Sequence, residues 1–124
     1  MNSQAEFRLI IATQRLITET KLRSALESLL GTAVPARCTL SASTYDPSTP
    51  VIAAVARASK LSTHRVTVPQ AAVNPHIVPL RINERLAANA QGCLVLWDGK
   101  EGLIKHLVGA AQFHGLPVWS LPID

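Results

Sequence analysis

Two habits of patterning alternate along this chain. Short runs are apolar almost throughout, and between them lie longer segments in which apolar residues recur every three to four positions. The first habit predicts buried strands and the second amphipathic helices. "FRLIIA" (7–12) is a run of the first kind. After the loop "TQRLIT", Thr18 is placed to cap a helix over 19–30, with Leu22, Ala25, Leu26, Leu29 and Leu30 on one face. Gly31 stands where a left-handed C-terminal cap is wanted. "VPARCTLSA" (34–42) predicts a second strand, entered through Pro35. "STYDPSTP" (43–50) is dense in turn formers and ends in a helix start, with Thr49 as N-cap and Pro50 as the first helical residue. That helix continues through "VIAAVARASK". "HRVTV" (64–68) predicts a third strand, and "PQAAVNPHIVP" (69–79) an irregular, proline-broken connection to a helix over 80–90. "CLVLW" (93–97) is the plainest buried strand. "DGKEG" turns the chain into a helix over 101–114, Gly115 ends it, and "LPVWSL" (116–121) makes the last strand. Residues 1–6 are polar and expected to be disordered, which leaves 7–124 as a single domain.

Strict β-α alternation with nearly all-apolar strands predicts a parallel sheet covered by helices on both faces. Right-handed crossovers make this a doubly wound, Rossmann-like α/β fold of five strands, with the order 3-2-1-4-5 expected. Strands 1 and 4 then lie side by side and their chains leave in opposite directions. Ligands of such sheets bind beyond the carboxyl ends of the strands at that point. The crevice is expected between "TQR" (13–15) and "DGKEG" (98–102), with "STYD" (43–46) at its rim.

Composition narrows the picture a little. Of 124 residues, 48% are hydrophobic but 4% aromatic, so the core is built from Leu, Ile, Val and Ala. Charged residues are 16%, below the roughly 25% of an average soluble domain, which fits a compact α/β unit or an apolar face covered by a partner. The formal net charge of +4 favours anionic partners such as nucleotides or nucleic acid, although no dense run of Lys or Arg marks a nucleic-acid surface. Cys38 and Cys93 lie in apolar segments and read as buried, reduced thiols. No apolar run reaches the roughly 18 residues of a membrane span, and no leader is recognisable, so a cytoplasmic protein with no membrane partner is expected.

The densest chemistry is at "DGKEG". Gly99 and Gly102 bend without a Cβ penalty, and their amides would open the last helix at the positive end of its dipole. Lys100 and Lys105 add positive charge, and the set suits a phosphate. A plain strand-to-helix turn with Asp98 as N-cap fits the same residues. Arg15 is either an anion ligand or solvated, Asp46 before Pro47 either a ligand or a turn residue, and Trp97 either core or a stacking platform. No glycine-rich dinucleotide fingerprint, Walker loop or nucleophile elbow occurs, and the four histidines have no metal-ligand spacing with the cysteines. No metal, cofactor or catalytic residue is assigned.

Together, "FRLIIATQRLIT", "INERLAANAQGCLVLWDGKEGLIKHLVGAAQFHGLPVW" and the element order resemble the SLOG superfamily of Rossmann-like domains, in its YspA-like branch. "TQR" stands in place of that family's Gly-x-Arg loop and keeps Arg15. "RINER" is similar to its Arg-Asn-Glu motif, keeping Asn83 and Glu84 with Arg81 displaced by one. Trp97, Asp98, Gly99, Lys100 and Gly102 match its Trp-Asp-Gly-Lys and following glycine, while Leu103 replaces a threonine and one residue is missing. "SASTYDPST" keeps Asp46 and lacks the glycines found there. The resemblance implies a non-catalytic domain for a nucleotide-derived ligand held by Thr13, Arg15, Asp46, Asn83, Asp98, Gly99, Lys100 and Gly102. Phosphate would sit on the Gly99–Gly102 amides under Lys100 and Arg15, with Asn83 and Asp98 toward sugar or base. Two alternatives stay open. One is an N-glycosidic nucleotide hydrolase using Glu101, which the displaced glutamate argues against. The other is an interaction module that has lost the ligand, binding protein or nucleic acid, or pairing as a homodimer through its helix faces.

Overall fold

The computed structural model describes residues 6–67 and 74–123. The chain runs β1 (Arg8–Thr13), α1 (Glu19–Glu27), β2 (Thr39–Ser43), α2 (Thr49–Ala58), β3 (Ser62–Val66), α3 (Val78–Ala88), β4 (Gly92–Trp97), α4 (Gly102–Phe113) and β5 (Val118–Pro122). Every strand pairing is parallel, and the sheet order is β3-β2-β1-β4-β5, the order the alternation predicts. Side chains of a strand alternate between faces, and the two central strands bury both. Leu9, Ile11, Leu94 and Leu96 point into one core with Leu22 and Leu26 of α1 and Ile52 and Val55 of α2. Ile10, Ala12, Cys93 and Val95 point into the other, against Ile82 and Leu86 of α3 and Ile104, Leu107 and Ala111 of α4. Two-sided burial is the reason β1 and β4 read as unbroken apolar runs.

The helix and strand ends depart from expectation for local reasons. Thr18 caps α1 as its position predicts, its hydroxyl accepting from the Lys21 amide at 3.1 Å. The helix nevertheless stops at Glu27, where the Ser28 hydroxyl donates to the Ala25 carbonyl at 2.7 Å. Gly31 does take a left-handed φ of 82°, in the turn that its amide closes onto Val34 O. Strand β2 begins at Thr39 rather than residue 34, because Val34 pairs locally with Leu30. Ser48, not Thr49, is the N-cap residue of α2, and its hydroxyl makes no capping bond because it is committed elsewhere. Helix α2 ends at Ala58 instead of Lys60, which itself takes a φ of 59°. Strand β3 starts two residues before the expected "HRVTV", whose Val68 lies outside the described residues, as do residues 69–73 of the proline-rich connection. Val78 and Pro79 belong to α3 rather than to that connection, since a first-turn proline needs no N–H donor. Both cysteines are free and buried, as expected, and burial pushes the Cys93 thiol up to about 12. No helix among the described residues is long and apolar enough to cross a membrane.

Candidate functional site

Beyond the carboxyl ends of β1 and β2, one carboxylate ties the loops together. Asp46 Oδ2 accepts from the Thr13 amide at 2.9 Å, and Oδ1 accepts from the Thr13 hydroxyl and the Ser48 amide, each at 2.8 Å. The fully buried Ser48 hydroxyl lies 2.8 Å from Thr13 Oγ1 and accepts from the Ile17 amide at 3.2 Å. Thr13, the last residue of β1, is thereby fastened to the start of α2. Burial holds the Asp46 carboxyl above its ordinary value, outweighing the three hydrogen bonds it accepts.

The start of α4 is closed in the same manner. Asp98 Oδ1 accepts from the amides of Lys100 and Glu101 at 2.7 and 3.0 Å. Glu101 is the N-cap residue of α4, and its carboxylate folds back onto the amides of Leu103 and Ile104, each at 2.9 Å. Four amides that flank the expected phosphate cradle, those of Lys100, Glu101, Leu103 and Ile104, are bonded to the chain's own carboxylates and are not offered to an anion. Asp98 is not the N-cap either, though its side chain shapes the turn. The hydrogen bond from Lys100 N–H is the main influence holding its carboxyl below the ordinary value. Gly99 has a φ of 84°, so the turn requires glycine there, whereas a Cβ on Gly102 would meet open space.

Gln14 joins the two loops that were expected to flank the crevice. Its Oε1 accepts from the Asp98 amide at 2.7 Å, and its Nε2 donates to Asp98 Oδ2 at 3.3 Å. This bridge spans the gap between "TQR" and "DGKEG". The hollow beside it draws on all three expected stretches, with Thr13 and Gln14, Glu101, and Ser43, Tyr45 and Asp46 in its lining, together with residues of α3 and α4. It has a volume of about 200 Å³. Thr13, Asp46 and Asn83 line it with Gln14, Ser43, Tyr45 and Glu101, over a floor that includes Leu86, Ile104 and Leu107. Asn83 is 4% exposed. Its Nδ2 donates to Leu103 O at 3.0 Å and lies 3.3 Å from His106 Nδ1, which orients the amide and locks α3 to α4.

Of the residues assigned to the ligand, Thr13, Asp46 and Asn83 come together here. Arg15, Asp98, Gly99, Lys100 and Gly102 do not line the hollow, and Arg15 and Lys100 are exposed. Sequence reasoning passed over Gln14, Ser43 and Tyr45 as individual residues, and over Ser48 as the second anchor of Thr13. Their signal was position alone, directly after β1 and at the end of β2. Trp97 packs on the α3–α4 core, and its indole N–H donates to Ser120 Oγ at 2.7 Å. No group of His, Cys, Asp and Glu that could hold a metal ion occurs among the described residues. Comparison of the chain with protein-family models, with curated proteins and with solved structures finds no match.

Proposed function

We propose that this chain is a small, non-catalytic binding domain whose hollow takes part of a nucleotide-derived ligand. The observation that carries the reading is the position and make-up of the hollow. It lies at the carboxyl ends of parallel strands beside the point where the winding reverses, where α/β sheets seat their ligands. An apolar floor and a few convergent polar groups complete the usual composition of a ligand site. At about 200 Å³ it is smaller than the roughly 300 Å³ at which drug-sized pockets begin, so it suits a base or a sugar rather than a whole nucleotide. Any phosphate would stay outside, near exposed cations such as Arg15 and Lys100. The test is calorimetry of the whole chain against nucleosides, nucleotides and their bases, repeated with Asn83→Ala. Binding by a member of the panel that weakens in the variant supports the reading. Silence across the panel at millimolar ligand rejects it. Buried, reduced cysteines are consistent with action in the cytoplasm.

Two other readings each have an observation behind them. Glu101 and Asp46 line the same hollow, the arrangement an N-glycosidic hydrolase would need, and release of free base from nucleoside monophosphates, abolished by Glu101→Gln, would establish that activity. Phe113 is 86% exposed on the outer face of α4, beside a groove lined by Gly109 and Ala110. That patch suits a second copy of this chain. Light scattering of the wild type and of Phe113→Lys would detect such a dimer and its loss.

A further inference from the structure

We infer that the hollow takes the hydrogen-bond-donating, amino-bearing end of a small heterocycle and excludes phosphate. This rests on the reading of the hollow as a ligand site and names the ligand chemistry. Among the described residues, the charged side chains in the lining are two carboxylates, Asp46 and Glu101, and no Lys, Arg or His joins them. Each carboxylate has about four lone-pair positions. Asp46 uses one of those on Oδ2, and Glu101 uses one on each oxygen, so both retain accepting capacity. Asn83 supplies a third acceptor. It is 96% buried, given its 4% exposure, and its Nδ2 is committed to Leu103 O. Its side-chain hydrogen bonds run through Nδ2, and no buried side-chain oxygen among the described residues is orphaned, so Oδ1 is an acceptor on a side chain that lines the hollow rather than a sealed one. An acceptor of that kind can exchange solvent for a ligand N–H.

These features favour one chemistry. Three acceptors around an apolar floor match the exocyclic amine and ring N–H of an amino-substituted purine or pyrimidine, neutral or protonated. A phosphate brought to the same place meets two like charges and no cation. The amides that could otherwise hold it, those of Leu103 and Ile104, are occupied by Glu101. The size of the hollow, about 200 Å³, fits one ring system.

The experiment is calorimetry on the full chain with adenine, cytosine and adenosine, the amine-free analogues purine and purine riboside, and inorganic phosphate with ribose 5-phosphate. The amino compounds are expected to bind, loss of the amine to weaken binding at least about tenfold, and the phosphates to give no heat. Glu101→Gln, which removes a charge on an accessible turn, is expected to weaken the amino compounds and spare the fold. Equal binding of purine and adenine, or binding by the phosphates, overturns the inference and leaves the hollow as a ligand site. An unchanged affinity in Glu101→Gln with an unchanged affinity in a folded Asn83→Ala also overturns it. If no compound binds, the inference and the ligand site fall together.

Discussion

Replacing Glu101 by alanine separates two roles that one carboxylate fills in α4. In the wild type its oxygens satisfy the second and third amides of the helix, Leu103 and Ile104, each at 2.9 Å. Losing an N-cap of this kind costs about 1 kcal/mol, which for a chain of this size lowers Tm by about 4 °C. The substitution also exposes two donors at the positive end of the α4 dipole, beside Lys100 and Lys105. Inorganic phosphate should then do what the carboxylate did. With a Kd of about 10 mM, 50 mM phosphate returns about 1 kcal/mol to the variant through preferential binding to the folded state. The assay is thermal unfolding of wild type and Glu101→Ala in phosphate and in sodium chloride of equal ionic strength. The expected pattern is a phosphate-specific rise in Tm for the variant and none for the wild type. A wild type that responds equally refutes the claim that its own side chains hold the anion position. A variant that loses stability but ignores phosphate refutes the claim that those amides are anion-competent at all.

Further outcomes follow from the same geometry. Gly99→Ala should destabilise by about 1 kcal/mol because alanine resists the φ of 84°, whereas Gly102→Ala should stabilise by up to about 1 kcal/mol, since it opens a helix with free space around its Cβ; urea unfolding of both distinguishes a required glycine from a tolerated one. For Asp46, burial raises the folded-state carboxyl above its ordinary 3.8, so the folded state binds more protons in the window above that value and the group's contribution declines as pH rises through it. Urea unfolding across that range should therefore show the wild type losing stability relative to Asp46→Asn as pH increases, and an opposite slope would mean that the hydrogen bonds from Thr13 and Ser48 outweigh burial. Cys93, with its thiol pushed up to about 12, should stay inert to a thiol reagent at neutral pH until the chain unfolds, with Cys38 reacting first.

How much of this was legible beforehand depends on the range of the interaction. Strand identity and the two-sided core follow from periodicity, because β1 and β4 bury both faces along nearly their whole length, and the expected strand order came from the β-α alternation with right-handed crossovers. Boundaries were less legible, since they depend on single hydrogen bonds. Ser48 looks like a minor turn residue in "DPSTP", and nothing local reveals that its hydroxyl is spent on Thr13, 35 positions earlier. The site was half legible. Thr13, Asp46 and Asn83, named beforehand, line the candidate hollow, and the glycines of "DGKEG", named with them, do not. The Gln14–Asp98 bridge beside the hollow is a contact across 84 positions that no spacing rule anticipates. The competing readings of "DGKEG", anion cradle or plain turn, differ only in where two carboxylates fold. Sequence names Asp98 and Glu101 without saying that they turn back onto the helix.

That folding-back changes what the fold can hold. Helix starts at the carboxyl ends of parallel strands ordinarily offer donors to an anion. Here Asp46 occupies the Ser48 amide before α2, and Glu101 occupies two amides of α4. Each carboxylate occupies a donor set and lines the same hollow, so the wall gains acceptors where donors would stand, without any change of topology. The chain's net charge of +4 works in the opposite direction at longer range. A ligand carrying both an anionic tail and an amino-bearing ring would be drawn to the basic surface by the first and seated in the hollow by the second. An inorganic anion would be drawn to the surface but not admitted to the hollow. Raising ionic strength should then weaken a nucleotide more than its nucleoside, because screening acts on exposed charge and spares the buried contacts. Calorimetry of the pair at low and high salt measures this directly. Equal salt sensitivity for nucleotide and nucleoside would mean that the exposed cations take no part in binding.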